Sequence, residues 1–430
     1  VDSTADSTAL LTDHYELTML QAALKAGTAE RRAVFELFPR RLAGGRRYGV
    51  VAGVGRALDA IEAFRFGPEQ LAVLDGVVDG PTLEWLAGYR FTGDIWGYAE
   101  GETFFPHSPL LVVEASFAEA VLLETVLLSI YNHDSAIATA ASRMTLAAGE
   151  RPCIEMGSRR THEAAAVAAA RAAYVAGFTA TSNLAARARF GVPTTGTSAH
   201  AFTLLHDTEE QAFRAQVASL GKGTTLLVDT YDIAEAVAKA VEIAGPELGA
   251  VRIDSGDLGL LAHDVRRQLD DLGATETKII VTSDLDEYAI AGLAAAPVDG
   301  YGVGTQLVTG SGHPTAGFVY KLVAREGASG DLEPVAKKSA SKASIGGRKY
   351  ALRRRDDKDV ADAEVIGIGA QPAGDNNDRS LLTQLLRKGE VVGREPLDAA
   401  RERHQASVAE LPVVAHSLLK GDPVIPTLFQ

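Results

Sequence analysis

The chain has 430 residues, 46% hydrophobic and 23% charged, which is ordinary for a soluble globular protein of one large or two to three smaller domains. Its net charge of −14, with the basic residues dispersed, argues against non-specific nucleic-acid binding but leaves room for a local basic pocket. The single cysteine, Cys153, excludes an intramolecular disulfide framework and any multi-cysteine zinc site. The longest apolar run, residues 121–130, is broken by Glu124 and Thr125, so no membrane span is expected. The N-terminus is polar and acidic without a signal-peptide pattern, and the expectation is a cytoplasmic protein.

Residues 13–26 place Leu17, Leu20, Ala23 and Leu24 at helical spacing behind Thr12 or Asp13 as a cap. Residues 33–38 read as a strand, followed by Pro39 and an Arg- and Gly-rich turn. Gly44 and Gly45 precede a second apolar run at 48–54. Residues 115–148 form an Ala- and Leu-rich helical region, expected to break near Asn132, His133 and Asp134. Strand candidates then follow at 153–156, 179–182, 226–228, 251–254, 279–282 and 300–303, with helical stretches at 163–176, 233–243 and 260–272 between them. Such alternation implies a mainly parallel sheet, open or closed as a barrel.

Residues 324–365 lose the alternation and become basic, with Lys337, Lys338, Lys342, Arg348, Lys349 and Arg353 to Arg355. A solvated surface competes there with a phosphate or subunit contact. The remainder reads as helix and loop with a Pro-rich end. The division that follows is an N-terminal α/β domain over 1–114, an α/β barrel over 115–323, and C-terminal segments over 324–430 that return to both.

The strand candidates end in polar residues: Gly157-Ser158-Arg159-Arg160, Ser182-Asn183, Asp229-Thr230, Asp254-Ser255-Gly256-Asp257, Ser283-Asp284 and Gly304-Thr305. In a (β/α) barrel the strand C-termini converge on one mouth, where these groups would line a single site. Arg252 and Asp254, two apart on a strand, point the same way and suit an anionic ligand bearing hydroxyls, although a structural ion pair would look alike. Gly302-Val303-Gly304-Thr305 offers backbone N–H groups and a hydroxyl to a phosphate. Arg159 and Arg160, where a strand hands over to a helix, can clamp a carboxylate or phosphate, with Arg159 the one expected to point inward. His200, among small residues, reads locally as a core histidine; a functional role needs an orienting partner, for which Asp229 is the candidate. No histidine cluster suggests a protein-built metal cage, so a divalent metal would come with a phosphate ligand.

Taken together, residues 11–19 (LTDHYELTM), Glu155 to Arg160, Gly196 to Phe202, Val251 to Asp257 and Tyr301 to Thr305 resemble the nicotinate phosphoribosyltransferases, in order along most of the chain. The resemblance implies an irregular (β/α) barrel of the type II phosphoribosyltransferase kind beside an N-terminal α/β domain. It implies a homodimer with shared active sites and a ligase reaction of NAD salvage. Nicotinate and phosphoribosyl pyrophosphate would give nicotinate mononucleotide and pyrophosphate, coupled to ATP hydrolysis, with Mg2+ on the phosphates. His200 matches the transiently phosphorylated histidine, and Asp229 and Asp254 join it as catalytic residues. Tyr15 matches the aromatic that stacks on the pyridine ring from the adjacent subunit. Arg159, Thr197 and Arg252 match the nicotinate contacts, while Asp254, Ser255, Gly256, Ser283, Gly304 and Thr305 match the phosphoribosyl and phosphate site. Asp254 and Asp257 could hold ribose hydroxyls or magnesium through water.

Nicotinate carries a carboxylate, which favours arginine and hydroxyl donors; the nicotinamide-using relatives generally carry an Asp near the position of Ser182. Met156 stands where the family often has Phe, so either Met156 or Phe178 would form the second face of the ring sandwich. The competing readings are a nicotinamide or quinolinate phosphoribosyltransferase, an unrelated phosphosugar-processing barrel enzyme, and a non-catalytic barrel scaffold.

Overall fold

Asp13 caps the first long helix, His14–Ala26, by accepting the His14 N–H at 2.8 Å, and Gly27 ends it with φ of 68°. Leu17, Leu20 and Ala23 on one face of that helix are buried, as the 3.6-residue period requires. The computed structural model describes residues 7–337 and 344–430, and the chain divides into two units: Val1–Thr139 with His313–Gln430, and Ala140–Gly312. These boundaries differ from 114/115 and 323/324. Helix Glu124–Ala148 runs on past the first unit's last residue, and strand Phe318–Glu326 pairs along its length with Arg32–Pro39 inside the first unit.

The first unit holds a seven-stranded antiparallel sheet whose central strands are Phe318–Glu326, Arg32–Pro39, Leu111–Ser116 and Asp94–Tyr98. A second sheet joins Arg379–Ser380, Lys349–Arg355, Ala361–Ile368 and Thr427–Phe429. The remainder after residue 365 does hold helix, Leu397–Ala409, and loop, with short strands among them, whereas the basic stretch 324–365 is rich in strands. The strand pattern of that stretch is masked by charges paired inside the protein. Lys349 is buried against Glu36 at 2.7 Å, and Arg353 is fully buried against Glu364 at 3.0 Å and Glu410 at 2.7 Å. The basic run is thus not simply a solvated face; Lys338 and Lys342 lie outside the described residues. Nor does the long helix break at residues 132–134. The interruption comes earlier, between Phe117–Val121 and Glu124–Ala148. Asn132 accepts from Phe318 N at 2.8 Å, and Asp134 binds Arg56 at 2.7 Å, so those polar side chains find partners without leaving the helix.

The second unit is built on six parallel strands: β1 (Cys153–Glu155), β2 (Ala180–Thr181), β3 (Thr225–Leu227), β4 (Ala250–Ile253), β5 (Lys278–Ser283) and β6 (Gly300–Val303). Their order is β2-β1-β6-β5-β4-β3, a curled half-barrel whose edge strands β2 and β3 share no ladder among the described residues. The register places Arg252 beside Ile280 and Leu227, and Thr282 beside Gly302, so residues of one parity share a face. The other parity supplies Ile253, Val281, Tyr301 and Val303, all fully buried. Helices follow the strands, several capped by an acid or amide at the polar strand end, as Asn183, Asp232, Asp257 and Asp286 show. Among the described residues no helix is long and apolar enough to cross a membrane.

Candidate active site

The polar ends of β1, β4, β5 and β6 surround a cavity of about 190 Å³ in the second unit. Arg159, Arg252, Asp254, Ser283, Gly304 and Thr305 all line it. Arg160, Asp284 and Gly302, named in the polar strand ends and the glycine run, line it as well, and so does Thr282, which the sequence pattern alone does not assign to the site. Strand parity is the signal that finds Thr282 and sets Gly302 on the same face, since each lies two residues on from Ile280 and Gly300 in register with Arg252. Gly302 has to be a glycine: a Cβ there would lie 2.4 Å from Thr282 Cγ2 and 2.8 Å from Met156 Sδ.

Three guanidinium groups against two carboxylates make the lining cationic and suited to an anion. Arg252 donates through Nη1 to the Thr197 hydroxyl, while its Nε is buried with no hydrogen-bond partner. Burial lowers its pKa from the ordinary arginine value, with Asp254 and Asp229 pulling the other way and Arg159 adding to the lowering. It stays a cation, as arginine does in proteins. Asp254 accepts from the Thr282 hydroxyl across the β4–β5 pairing.

Asp229 sits beyond β3 with its side chain 2% exposed. Its Oδ2 accepts the Asp254 N–H at 2.9 Å and the Ser255 hydroxyl at 3.0 Å, whereas Oδ1 is buried without a hydrogen bond. His200 Nε2 stands 3.8 Å from that Oδ1, close but beyond hydrogen-bond length, and Nδ1 meets the Thr230 hydroxyl at 3.1 Å. With 41% of its side chain exposed, His200 is not a core histidine.

Other expected residues fall outside this lining. Ser255 is exposed and spends its hydroxyl on Asp229; Gly256 is exposed in a turn with φ of 92°; Asp257 caps helix Leu258–Asp271 by accepting the Leu260 N–H at 3.1 Å. Phe178 is buried and does not line the cavity, whereas Met156 does. Tyr15 belongs to the first unit, on helix His14–Ala26, with 44% of its surface exposed. Burial and the neighbouring Glu124 and Glu16 push its phenol pKa up. Among the described residues no cluster of three or more His, Cys, Asp or Glu could hold a metal. Asp254 and Asp284 are nevertheless the kind of carboxylates that take a magnesium ion already carried on phosphate oxygens.

A family model described as the nicotinate phosphoribosyltransferase N-terminal domain matches residues 10–132. A nicotinate phosphoribosyltransferase of Mycobacterium tuberculosis is 57% identical over 431 aligned residues, covering 98% of this chain and 95% of the relative. One from Bacillus subtilis is 40% identical over 333 residues, covering 75% and 68%. The crystal structure of human nicotinic acid phosphoribosyltransferase is similar with a TM-score of 0.84 at 25% identity, covering 97% of each chain. That of a nicotinate-nucleotide pyrophosphorylase from Pyrococcus furiosus, with a TM-score of 0.78 at 24% identity and coverage of 95% and 97%, shares the fold.

Proposed function

The chain belongs to the nicotinate phosphoribosyltransferase family and has the type II phosphoribosyltransferase fold, and from that premise we propose that its half-barrel pocket joins nicotinate to phosphoribosyl pyrophosphate. The products are nicotinate mononucleotide and pyrophosphate. The observation that carries this reading is the cationic lining formed by Arg159, Arg160 and Arg252 around a glycine-walled cavity.

The reaction needs the pyridine nitrogen to attack ribose C1 as the bond from C1 to the pyrophosphate oxygen breaks. The nitrogen lone pair forms the new bond, and the old bond's electrons leave with pyrophosphate. The centre passes through oxocarbenium-like character, so orientation and charge stabilisation do most of the work. Arg252, braced by Thr197, and Arg159 hold the nicotinate carboxylate. Asp254, fixed by Thr282, faces the ribose, where its negative charge favours the cationic transition state. Gly304, Thr305 and Ser283 hold phosphate oxygens. Asp254 and Asp284 would hold a magnesium ion carried on the phosphate oxygens, which would supply charge neutralisation for the departing pyrophosphate. Met156 packs on one face of the pyridine ring, and the partner's Tyr15 covers the other in a homodimer. An acid substrate is favoured over nicotinamide because three arginines line the cavity and residue 182 is Ser, where the nicotinamide-using relatives generally carry Asp nearby.

ATP enters through His200. The Asp229 carboxylate near Nε2 favours a proton there, which leaves the Nδ1 lone pair accepting from the Thr230 hydroxyl. Nδ1 then attacks the γ-phosphorus of ATP, the bond to the bridging oxygen breaks, and ADP leaves. The phosphohistidine adds close to two negative charges at the strand ends and draws on the same cationic groups. Incubation with γ-labelled ATP tests this step. The intact protein should retain acid-labile label and release ADP, and His200→Ala should do neither while staying folded. ADP release undiminished in His200→Ala would overturn the assignment.

A further inference from the structure

Residues 156–160 bring Met156, Arg159 and Arg160 to the cavity, yet they lie in no helix or strand. Side chains that must meet a planar anion from a loop need something to hold that loop. Glu155, the last residue of β1, is fully buried and accepts two hydrogen bonds, from the Gly157 N–H and from the Thr181 hydroxyl on neighbouring β2. The Thr181 oxygen accepts the Asn183 N–H at 2.9 Å, and the Asn183 side-chain amide donates to the Ser158 hydroxyl at 3.0 Å. The path returns to Glu155 through Gly157, closing a ring across two strand ends. Two backbone bonds tighten it: Ser182 N–H to Glu155 O at 2.8 Å, and Arg160 N–H to Gly157 O at 2.8 Å.

The chemistry of each member is specific. A carboxylate only accepts, so it can take a backbone N–H on one oxygen and a hydroxyl on the other; an amide would turn an NH2 toward one of them. Gly157 fits because a Cβ there would lie 2.3 Å from Val308 Cγ1 and 3.0 Å from a Glu155 oxygen. Asn183 does double duty, since its side-chain oxygen also caps helix Leu184–Phe190 by accepting the Ala186 N–H at 2.9 Å.

We propose that the ring Glu155–Thr181–Asn183–Ser158 is a positioning device that sets Met156 against the pyridine ring and Arg159 against its carboxylate, so that these four residues tune nicotinate affinity without touching substrate. The proposal rests on the reading of Arg159 as a nicotinate contact. Ser158→Ala opens the ring at its outermost bond and leaves Glu155 and Thr181 fully partnered, so the chain should fold as before. The expected result is a KM for nicotinate raised about five-fold, the worth of one net hydrogen bond, with the KM for phosphoribosyl pyrophosphate and the melting temperature unchanged. Ser158→Thr, which keeps the hydroxyl, should restore the KM, and Glu155→Gln should raise it further, by about ten-fold. A Ser158→Ala protein with unchanged nicotinate KM, or with both KM values raised together, would overturn the proposal. Arg159→Ala is measured alongside. If it fails to raise the nicotinate KM, the reading of the site falls and takes the ring's role with it; if it raises the KM and Ser158→Ala does not, only the ring's role falls.

Discussion

Arg353 and Arg252 are both withdrawn from bulk water, and each buries an Nε with no hydrogen-bond partner, but their terminal nitrogens are furnished in opposite ways. Arg353 in the first unit is fully buried and uses both terminal nitrogens twice, on the Thr103 hydroxyl and carbonyl, Glu410 and Glu364, while its plane lies 5.3 Å from the Phe105 ring. Arg379 ties Glu410 to Glu102 beside it. Arg252 in the second unit has a single hydroxyl partner, on Nη1. The carboxylate two residues on, Asp254, accepts from Thr282. A buried cation whose terminal nitrogens are all engaged by its own protein, and which lines no cavity among those described, has no fork left for a ligand and serves the fold. An unsaturated one that faces a cavity holds its capacity for something that binds.

That contrast predicts which variants unfold the protein and which disarm it. Arg353→Ala leaves buried Glu364 without its cation, while Glu102 keeps Arg379, and should lower the unfolding free energy by about 3–5 kcal/mol, measured by urea denaturation. A loss under 1 kcal/mol would erase the distinction.

His404, buried in the first unit, has its pKa pushed down to about 4 by burial, with Arg401 adding to the effect. The folded protein thus keeps it neutral to about pH 4, whereas the unfolded chain takes up the proton below about 6.5. Stability should fall as pH drops across that window, by up to about 3 kcal/mol from this group. Unfolding curves of the wild type and His404→Gln should converge toward pH 4; parallel curves would contradict the assignment.

On the other side of the contrast, Arg252→Ala should cut kcat/KM for nicotinate about 100-fold while costing under about 1 kcal/mol of stability. Asp257→Ala gives the smallest effect and the sharpest check. It stands next to the site in sequence, yet its carboxylate is spent on the Leu260 N–H, so about 1 kcal/mol of stability should go with nicotinate KM unmoved. A large KM change there would return Asp257 to the binding site.

The same contrast explains what could be read from the sequence. β1 to β6 are short apolar runs ending in polar residues, and each is found within a residue or two of where the pattern put it. The first unit's later strands, such as Lys349–Arg355 and Ala361–Ile368, bury Lys349 against Glu36 and Arg353 against Glu364, so their charge imitates a surface. At the site, Arg252 and Asp254 announce themselves by type and spacing. Thr282 does not, because only the register between strands shows that it shares Arg252's face. The Glu155 ring is equally hidden, since it depends on β1 lying beside β2.

The most direct test of the account is product formation from nicotinate and phosphoribosyl pyrophosphate with magnesium, with and without ATP, and with nicotinamide in a parallel reaction. The account predicts nicotinate mononucleotide, formed faster with ATP, and little or no product from nicotinamide. Product from nicotinamide in preference to nicotinate, or from neither, would contradict it.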